Sequence, residues 1–600
     1  MSSSVINSRL DAIRSLMREN GIDVYIVPNF DPHLSEYPPE RWNIRKWATG
    51  FTGSAGSAAI SLNEAALWSD SRYFLQAEAE IKGTGYSFYK DGLPETTPLN
   101  EWVCTQAGKN GVIAADDTSF SYNEGLRMKA LFAKNNIALS FGFDPIAKLW
   151  DGRPSIPENE IFVHEMKYAG ESFSSKCERT LEAIKKNEAN AILLSALDDI
   201  AWIFNIRGCD VKFNPVVVAY AYLSEEKKVI FIEKCKLPSS VVEYFNQNDI
   251  EIMPYGEIEN FIQTLDNNAK VLADPARVNY RLCNALCEKG VLVAATSPIA
   301  IMKSIKNSVE IEGTKNALVR DGVAMTNFLY WLDTNIGKIE MSEISIAEKL
   351  RSFRAEQPLF VGESFGTIAG YEGHGAIVHY RATEESDAKL QPKGFVLVDS
   401  GGQYLDGTTD ITRTIPLGEL TDEEKKCFTL VLKGHIAVAQ AQFPQGTRGA
   451  QIDAFARIAL WKEGYTYMHG TGHGIGHFLN VHEGPQNIRL EENPTPLMPG
   501  MMTSNEPGVY LSNQFGIRTE NIILTVEKCE TNFGKFYEFE TLTLCPIDTR
   551  AVDTAIMTNE EIEWLNQYHK QVYEKLSPML GCPQNEWLKA RCTPISKQTT

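Results

Sequence analysis

The chain has 600 residues, 43% of them hydrophobic and 22% charged, with a formal net charge of −19. That is too long for one core and points to about three or four domains. The acidic balance argues against nucleic acid or an anionic membrane as the main partner, and no apolar run nears the ~18 residues needed to span a bilayer.

In chain order, residues 5–20 carry Leu10, Ile13, Leu16 and Met17 at helical spacing, ahead of Gly21. A short buried strand follows from Ile22 to Pro28. No apolar h-region precedes them, so no signal peptide is expected. The Gly/Ser stretch Phe51–Ile60 reads as a tight turn feeding a strand, and Ala66–Phe74 as a strand ending in a polar cluster with Asp70 and Arg72. Residues 174–206 look like a second copy of this opening: a helix with Leu181 and Ile184, a strand from Ala191, then Asp198–Gly208. Helix, glycine and strand repeated in this way predict two related α/β domains in tandem. The polar, Pro-containing Trp150–Asn159 reads as the linker between them. Trp47, Trp68 and Trp202 are expected in the core.

A second boundary falls near Lys303–Ser308, where Asn307 and Glu310 form a capping-box pattern. An amphipathic helix to Leu332 follows, with helices at 420–442 (Thr421 and Glu424 at its start) and 450–463, and a helix plus tail over 557–600. The terminal Gln598-Thr599-Thr600 carries no recognised address. The expected domains are 1–150, 160–302 and 303–600. The eleven cysteines are scattered, odd in number and without a CxxC pair, which reads as a reduced, cytoplasmic protein.

The chemistry concentrates in the last of these domains. Seven of the ten histidines lie between His374 and His482, and four of them fall within the fourteen residues from His469 to His482. Glycines alternate through His469-Gly-Thr-Gly-His473-Gly-Ile-Gly-His477, where they allow close backbone approach. A glycine-rich string alone is a weak mark of a nucleotide cradle; here it is studded with imidazole. Asp399 ends the apolar run Phe395–Val398, and Asp410 opens another eleven residues later, with turn residues Gly401-Gly402 and Asp406-Gly407 between. Glu506 precedes Pro507-Gly508 on a strand edge, and Glu520 lies in the strand-like Gly516–Leu524. Asp399, Asp410, His473, Glu506 and Glu520 are therefore predicted to converge. Four carboxylates and one imidazole form a mainly hard-oxygen site for two divalent ions of the Mn²⁺, Co²⁺ or Zn²⁺ type, about 3.5–4 Å apart. His477, His374 and His435 read as structural or rim residues.

The segment from about 303 to 550 resembles the pita-bread metallopeptidases: methionine aminopeptidase, prolidase and aminopeptidase P. The ligand order Asp, eleven residues, Asp, His, Glu, Glu is that family's. His469–Gly476, Asn480-Val-His-Glu-Gly-Pro485 and Phe515-Gly-Ile-Arg-Thr-Glu-Asn521 are similar to the cytosolic, three-domain Xaa-Pro aminopeptidases, as are His33-Leu-Ser-Glu36-Tyr, Gly53-Ser-Ala-Gly, Asp70-Ser-Arg72-Tyr and Asn205-Ile-Arg-Gly. The resemblance implies two creatinase-like α/β domains ahead of a pita-bread catalytic domain. It implies that Asp399 chelates one metal, Asp410 and Glu520 bridge both, and His473 and Glu506 complete the other. Glu506 would also act as general base while a metal-bridging hydroxide attacks the carbonyl. His379 and His482 would bind substrate and stabilise the tetrahedral intermediate, with His473 and Glu506 also facing it. His469 would be a further pocket wall. Arg72 and Glu36 would reach the substrate from the N-terminal domain, of this or a partner subunit, with a surface or interdomain salt bridge as the competing reading of Arg72. Mn²⁺ and a homodimer are the family's habit.

The implied reaction is hydrolysis between an N-terminal residue and a penultimate proline. Proline offers no scissile N–H, so a polarised carbonyl and an activated water suit it. Two departures stand out: His374 is extra, and Asn505 replaces a common acid before Glu-Pro-Gly. The competing readings are prolidase, which takes X-Pro dipeptides, and a non-catalytic peptide-binding relative. The second α/β domain argues against the first, and the intact ligand set against the second.

Overall fold

The computed structural model describes residues 2–597, so Gln598-Thr599-Thr600 lies outside the described residues. The chain divides into two compact units, Met1–His164 with Glu171–Ile299, and Glu165–Gly170 with Ala300–Thr600.

The first unit holds two six-stranded sheets of one design. Strands Val24–Val27, Ser57–Ser61, Ala65–Ser69, Ser87–Lys90, Val112–Ala115 and Ala138–Phe141 lie in the spatial order 4-3-2-1-5-6. Strands Ala191–Leu194, Tyr220–Ser224, Lys228–Phe231, Ile250–Met253, Val271–Ala273 and Leu292–Ala294 repeat that order. In both sheets the first strand pairs antiparallel with the second and parallel with the fifth. Two tandem, related α/β layers are therefore present, as the sequence predicts. Helix Ser3–Glu19 buries Ile6, Leu10, Ile13 and Met17, the stripe that a 3.6-residue period requires. Trp47, Trp68 and Trp202 are all buried.

In the second unit, helix Ser308–Asn335 starts at the expected capping box of Asn307 and Glu310, and helix Asp422–Ala439 at that of Thr421 and Glu424. The C-terminal segment is two helices, Asn559–Leu576 and Cys582–Arg591, rather than one with a tail. Two sheets matter for the site. In the first, Phe395–Ser400 runs antiparallel between Ile368–Tyr371 and Ile411–Pro416. Strand side chains alternate faces. Val396, Val398, Ile411 and Ile415 pack with Met325, Phe328 and Leu350 of the long helices. The opposite face carries Leu397, Asp399, Thr412 and Thr414, and Asp410 shares their parity. In the second sheet, Met502–Asn505 pairs antiparallel with Asn521–Thr531, and its last rung joins Asn505 to Asn521. The next residues beyond that rung are Glu506 and Glu520, which leave the ladder side by side.

The short helix Met166–Ala169 belongs to the second unit, which sequence did not suggest. The Asn307 side chain donates to Ala169 O at 2.9 Å and His477 Nε2 to Tyr168 O at 3.1 Å. No helix among the described residues is long and apolar enough to cross a membrane.

Candidate metal centre

Asp410, His473 and Glu520 each offer a ligand atom, and those atoms lie within 4.8 Å of one another. His473 Nε2 stands 3.5 Å from Asp410 Oδ2 and 3.6 Å from Glu506 Oε1. Asp399 is reached through the register that sets it opposite Thr412, whose hydroxyl donates to Glu520 Oε2 at 2.8 Å. The five residues predicted to converge meet in one place, drawn from two sheets and the glycine-rich loop.

The loop is fixed by its own backbone. Gly472–His473 pairs with Asn487–Ile488, and His473 N donates to Ser504 Oγ at 2.9 Å. His473 Nδ1 lies 2.9 Å from Gly474 O. A carbonyl only accepts, so Nδ1 carries a proton, which leaves Nε2 as the atom that faces the acids and could serve a metal. A Cβ on Gly472 would meet Ser504 O at 1.9 Å, and one on Gly474 would meet Glu483 O at 2.0 Å. Only glycine lets the loop lie this close to its neighbours.

The electrostatics call for cations. Burial pushes Glu506 up to about 7, with His473 and Arg518 pulling it down and Asp410 and Asp399 pushing it up. Glu520 is pushed well above the usual carboxylate range by burial, then by Asp410, Glu506 and Asp399. Burial raises Asp399 against the pull of Arg518. Burial alone would lower the His473 imidazole, but the Asp410 hydrogen bond and the Glu506 charge hold it up at about 9. Like charges about 4 Å apart repel by about 4 kcal/mol at an effective dielectric of ~20. Asp399 Oδ1 is buried without a hydrogen-bond partner. An O₄N donor set with an orphaned carboxylate oxygen and mutually raised acids fits two hard or borderline divalent ions.

One supporting residue, Arg518, escaped the sequence reading, and the structure gives partners to two that it had noted, His435 as structural and Asn505 as a departure. Arg518, almost fully buried, donates from Nη2 to Asp399 Oδ2 at 2.7 Å, from Nη1 to Tyr510 OH at 2.7 Å and from Nε to Thr412 Oγ1 at 3.1 Å. The signal was an arginine inside the apolar strand Phe515–Arg518, where a buried guanidinium needs an acid partner. His435 lies 3.1 Å from Asn505 O through Nδ1 and accepts from Asn521 Nδ2 at 3.1 Å through Nε2, which ties together the strands that deliver Glu506 and Glu520. Burial lowers its pKa to about 3, so the ring stays neutral. Asn505, the departure from the common acid, also donates to His435 O at 2.9 Å. An acid there would lose that donor.

The other predicted residues are placed as follows. The His482 ring lies 4.3 Å, centroid to centroid, from that of His473. His379 follows Val378, whose carbonyl accepts from Arg518 Nη2 at 3.4 Å. His469 gives Nδ1–H to Gly470 O at 2.7 Å and meets Tyr510 OH at 2.8 Å through Nε2. Its ring therefore backs Tyr510 and, through it, Arg518. His477 spends both nitrogens on Thr314 Oγ1 and Tyr168 O, a structural role. Arg72 and Glu36 belong to the first unit, where Arg72 is bidentate to Asp70 at 2.7 and 2.8 Å and feels the Glu36 charge.

Comparison with known proteins accounts for nearly the whole length. Residues 9–141 and 152–310 each match the creatinase/prolidase N-terminal domain, 312–527 match metallopeptidase family M24, and 535–595 match the C-terminal region of peptidase M24. The chain is 39% identical to aminopeptidase P2 of Arabidopsis thaliana, over 99% of this chain and 89% of that one. It is 37% identical to Xaa-Pro aminopeptidase 1 of Dictyostelium discoideum, over 99% and 97%. The crystal structure of an X-prolyl aminopeptidase from Caenorhabditis elegans, described as a cytosolic enzyme with a di-nuclear active site, superposes with a TM-score of 0.95 at 32% identity, covering 99% of this chain and all of that one. Two creatinase-type domains thus precede a pita-bread domain, and the chain belongs to metallopeptidase family M24, among its Xaa-Pro aminopeptidases, as a metal-dependent aminopeptidase.

Proposed function

We propose that the chain removes the N-terminal residue from peptides whose second residue is proline, using two divalent ions, with Mn²⁺ our choice of metal. The observation that carries this is the meeting of Asp399, Asp410, His473, Glu506 and Glu520 in one buried cluster. Asp399 would hold one ion, His473 and Glu506 the other, and Asp410 and Glu520 both. When bound, such a pair lowers the pKa of a shared water and polarises the scissile carbonyl. Glu506, beside His473 in this cluster, would accept a proton from that water and return it to the proline nitrogen, which leaves without an N–H of its own. His482, beside His473, and His379, held through Val378, would bind the substrate carbonyl and steady the charge that develops on its oxygen. His469 would act by fixing Tyr510 and through it Arg518, which orients Asp399.

We also read the chain as a cytoplasmic homodimer. Its eleven unpaired cysteines suit a reducing compartment. Helix Gly449–Trp461 exposes Phe455, Ile458 and Trp461 on one face, beside an exposed Met468, an apolar surface of the kind a second copy would cover. The function is tested by turnover of Arg-Pro-Pro and of the dipeptide Arg-Pro with Mn²⁺ and with EDTA. Chelator-sensitive cleavage favouring the tripeptide is expected; preference for the dipeptide would favour the prolidase reading instead.

A further inference from the structure

Glu343 opens helix Glu343–Ala355, and its side chain is fully buried. A buried carboxylate is costly unless it is well supplied with donors. Here all four donors come from one stretch of chain, residues 371–388. Tyr371 N donates to Oε1 at 2.8 Å, and His374 Nδ1 stands 2.9 Å from the same oxygen. Tyr380 OH donates to Oε2 at 2.8 Å and Ala388 N at 2.9 Å. The His374 ring also stacks on Tyr380, at 4.5 Å between centroids. Beyond the 3₁₀ turn Glu372–Ala376, this stretch has no regular structure before strand Phe395–Ser400.

These bonds pin both ends of the segment and its middle, where His379 lies. Both of its chain neighbours are held. The Val378 carbonyl accepts from Arg518 Nη2 at 3.4 Å, and Arg518 also binds Asp399. The Tyr380 hydroxyl is held by Glu343. A residue serving only to cap the helix would need one nearby donor, whereas these four are spread over eighteen residues, from Tyr371 to Ala388.

We infer that Glu343 is a positioning residue for turnover: by gathering the 371–388 segment it sets where His379 stands relative to the metal centre. The inference rests on the reading that His379 binds substrate. The test is steady-state hydrolysis of Arg-Pro-Pro with Mn²⁺ by the full chain and by Glu343→Gln, His379→Ala and the double variant, with bound metal measured for each. Gln keeps the size but turns an amide group toward donors. Glu343→Gln is expected to lower kcat/KM by roughly tenfold to a hundredfold, the cost of losing a supporting partner, with bound metal unchanged. In the His379→Ala background it should cost little more, because both changes remove one function. Wild-type turnover by Glu343→Gln, or losses that multiply in the double variant, would overturn the inference while leaving His379's role intact. Full activity of His379→Ala would instead refute the reading of His379 and take the inference with it. If Glu343→Gln does not fold, Tyr380→Phe removes one of the four donors and keeps the stack on His374; the same non-additivity with His379→Ala is expected, and full additivity would refute it.

Discussion

Replacing Glu506 by glutamine is expected to stabilise the metal-stripped protein while abolishing its activity. The Glu506 side chain is 18% exposed, and burial pushes its pKa from 4.5 to about 7. Holding a carboxylate roughly 2.5 units above its unfolded value costs about 3 kcal/mol at pH 7 and above. The sign follows from the raised folded pKa: the cost is absent below about pH 4.5 and grows as pH climbs toward 7. Glutamine carries no such charge and can still accept from Ser504 Oγ, now 3.3 Å from Glu506 Oε1. At ~2.1 cal/mol/K per residue, a unit of roughly 300 residues has an unfolding entropy near 0.6 kcal/mol/K, so about 3 kcal/mol raises Tm by about 5 °C. Calorimetry of both proteins after EDTA treatment, at pH 7.5 and pH 5, reads this directly: a gain at pH 7.5 that shrinks at pH 5. Loss of an acid–base group costs on the order of 10²–10⁴ in rate, so turnover with Mn²⁺ should fall at least hundredfold. A variant that melts at or below the wild type at pH 7.5, or that retains turnover, would refute the reasoning.

Arg518→Met strips Asp399 and Tyr510 of their shared partner; leaving a buried charge unpaired costs about 3–5 kcal/mol, so urea unfolding should show a loss of that order, and near-wild-type stability would contradict the pairing. Burial lowers His569 to about 4, and its Nε2 accepts from Ile547 N at 3.1 Å. The unfolded chain therefore takes up a proton below about pH 6.5 that the fold refuses, and stability falls in acid. His569→Gln should flatten the pH dependence between 6.5 and 4 by about 1.4 kcal/mol per pH unit; identical slopes would be evidence against a neutral buried ring. Ile458→Asp places a charge on the exposed apolar face of helix Gly449–Trp461. Sedimentation should then report a single chain where the wild type sediments as two, and an unchanged dimer would move the interface elsewhere.

The four acids of the candidate metal centre could be picked out because each stands at the edge of an apolar strand-like run, where an acid has few structural uses; His473 was picked out by the histidine-studded glycine loop instead. Local rules also carried Asn307 with Glu310 and Thr421 with Glu424, since a capping box is complete within four residues. What escaped depends on partners far along the chain. Arg518 meets Asp399 119 positions away, and His435 meets Asn505 and Asn521 across 70 and 86. No periodicity records such pairs. The likeness of the two N-terminal domains was faint in residues but plain in strand order, because topology tolerates substitution of nearly every core side chain of like size and polarity. The transfer of Glu165–Gly170 to the second unit rests on backbone carbonyls of Ala169 and Tyr168, which any residue would supply.

The most direct measurement is the number of metal ions bound per chain, by equilibrium dialysis of the EDTA-treated protein against Mn²⁺ followed by elemental analysis, for the wild type and Asp410→Asn. Two ions per wild-type chain, restored together with Arg-Pro-Pro turnover, and one or none in the variant is the expected result. No Mn²⁺ bound to wild type, or the same stoichiometry in Asp410→Asn, would contradict a two-metal centre built on these five side chains.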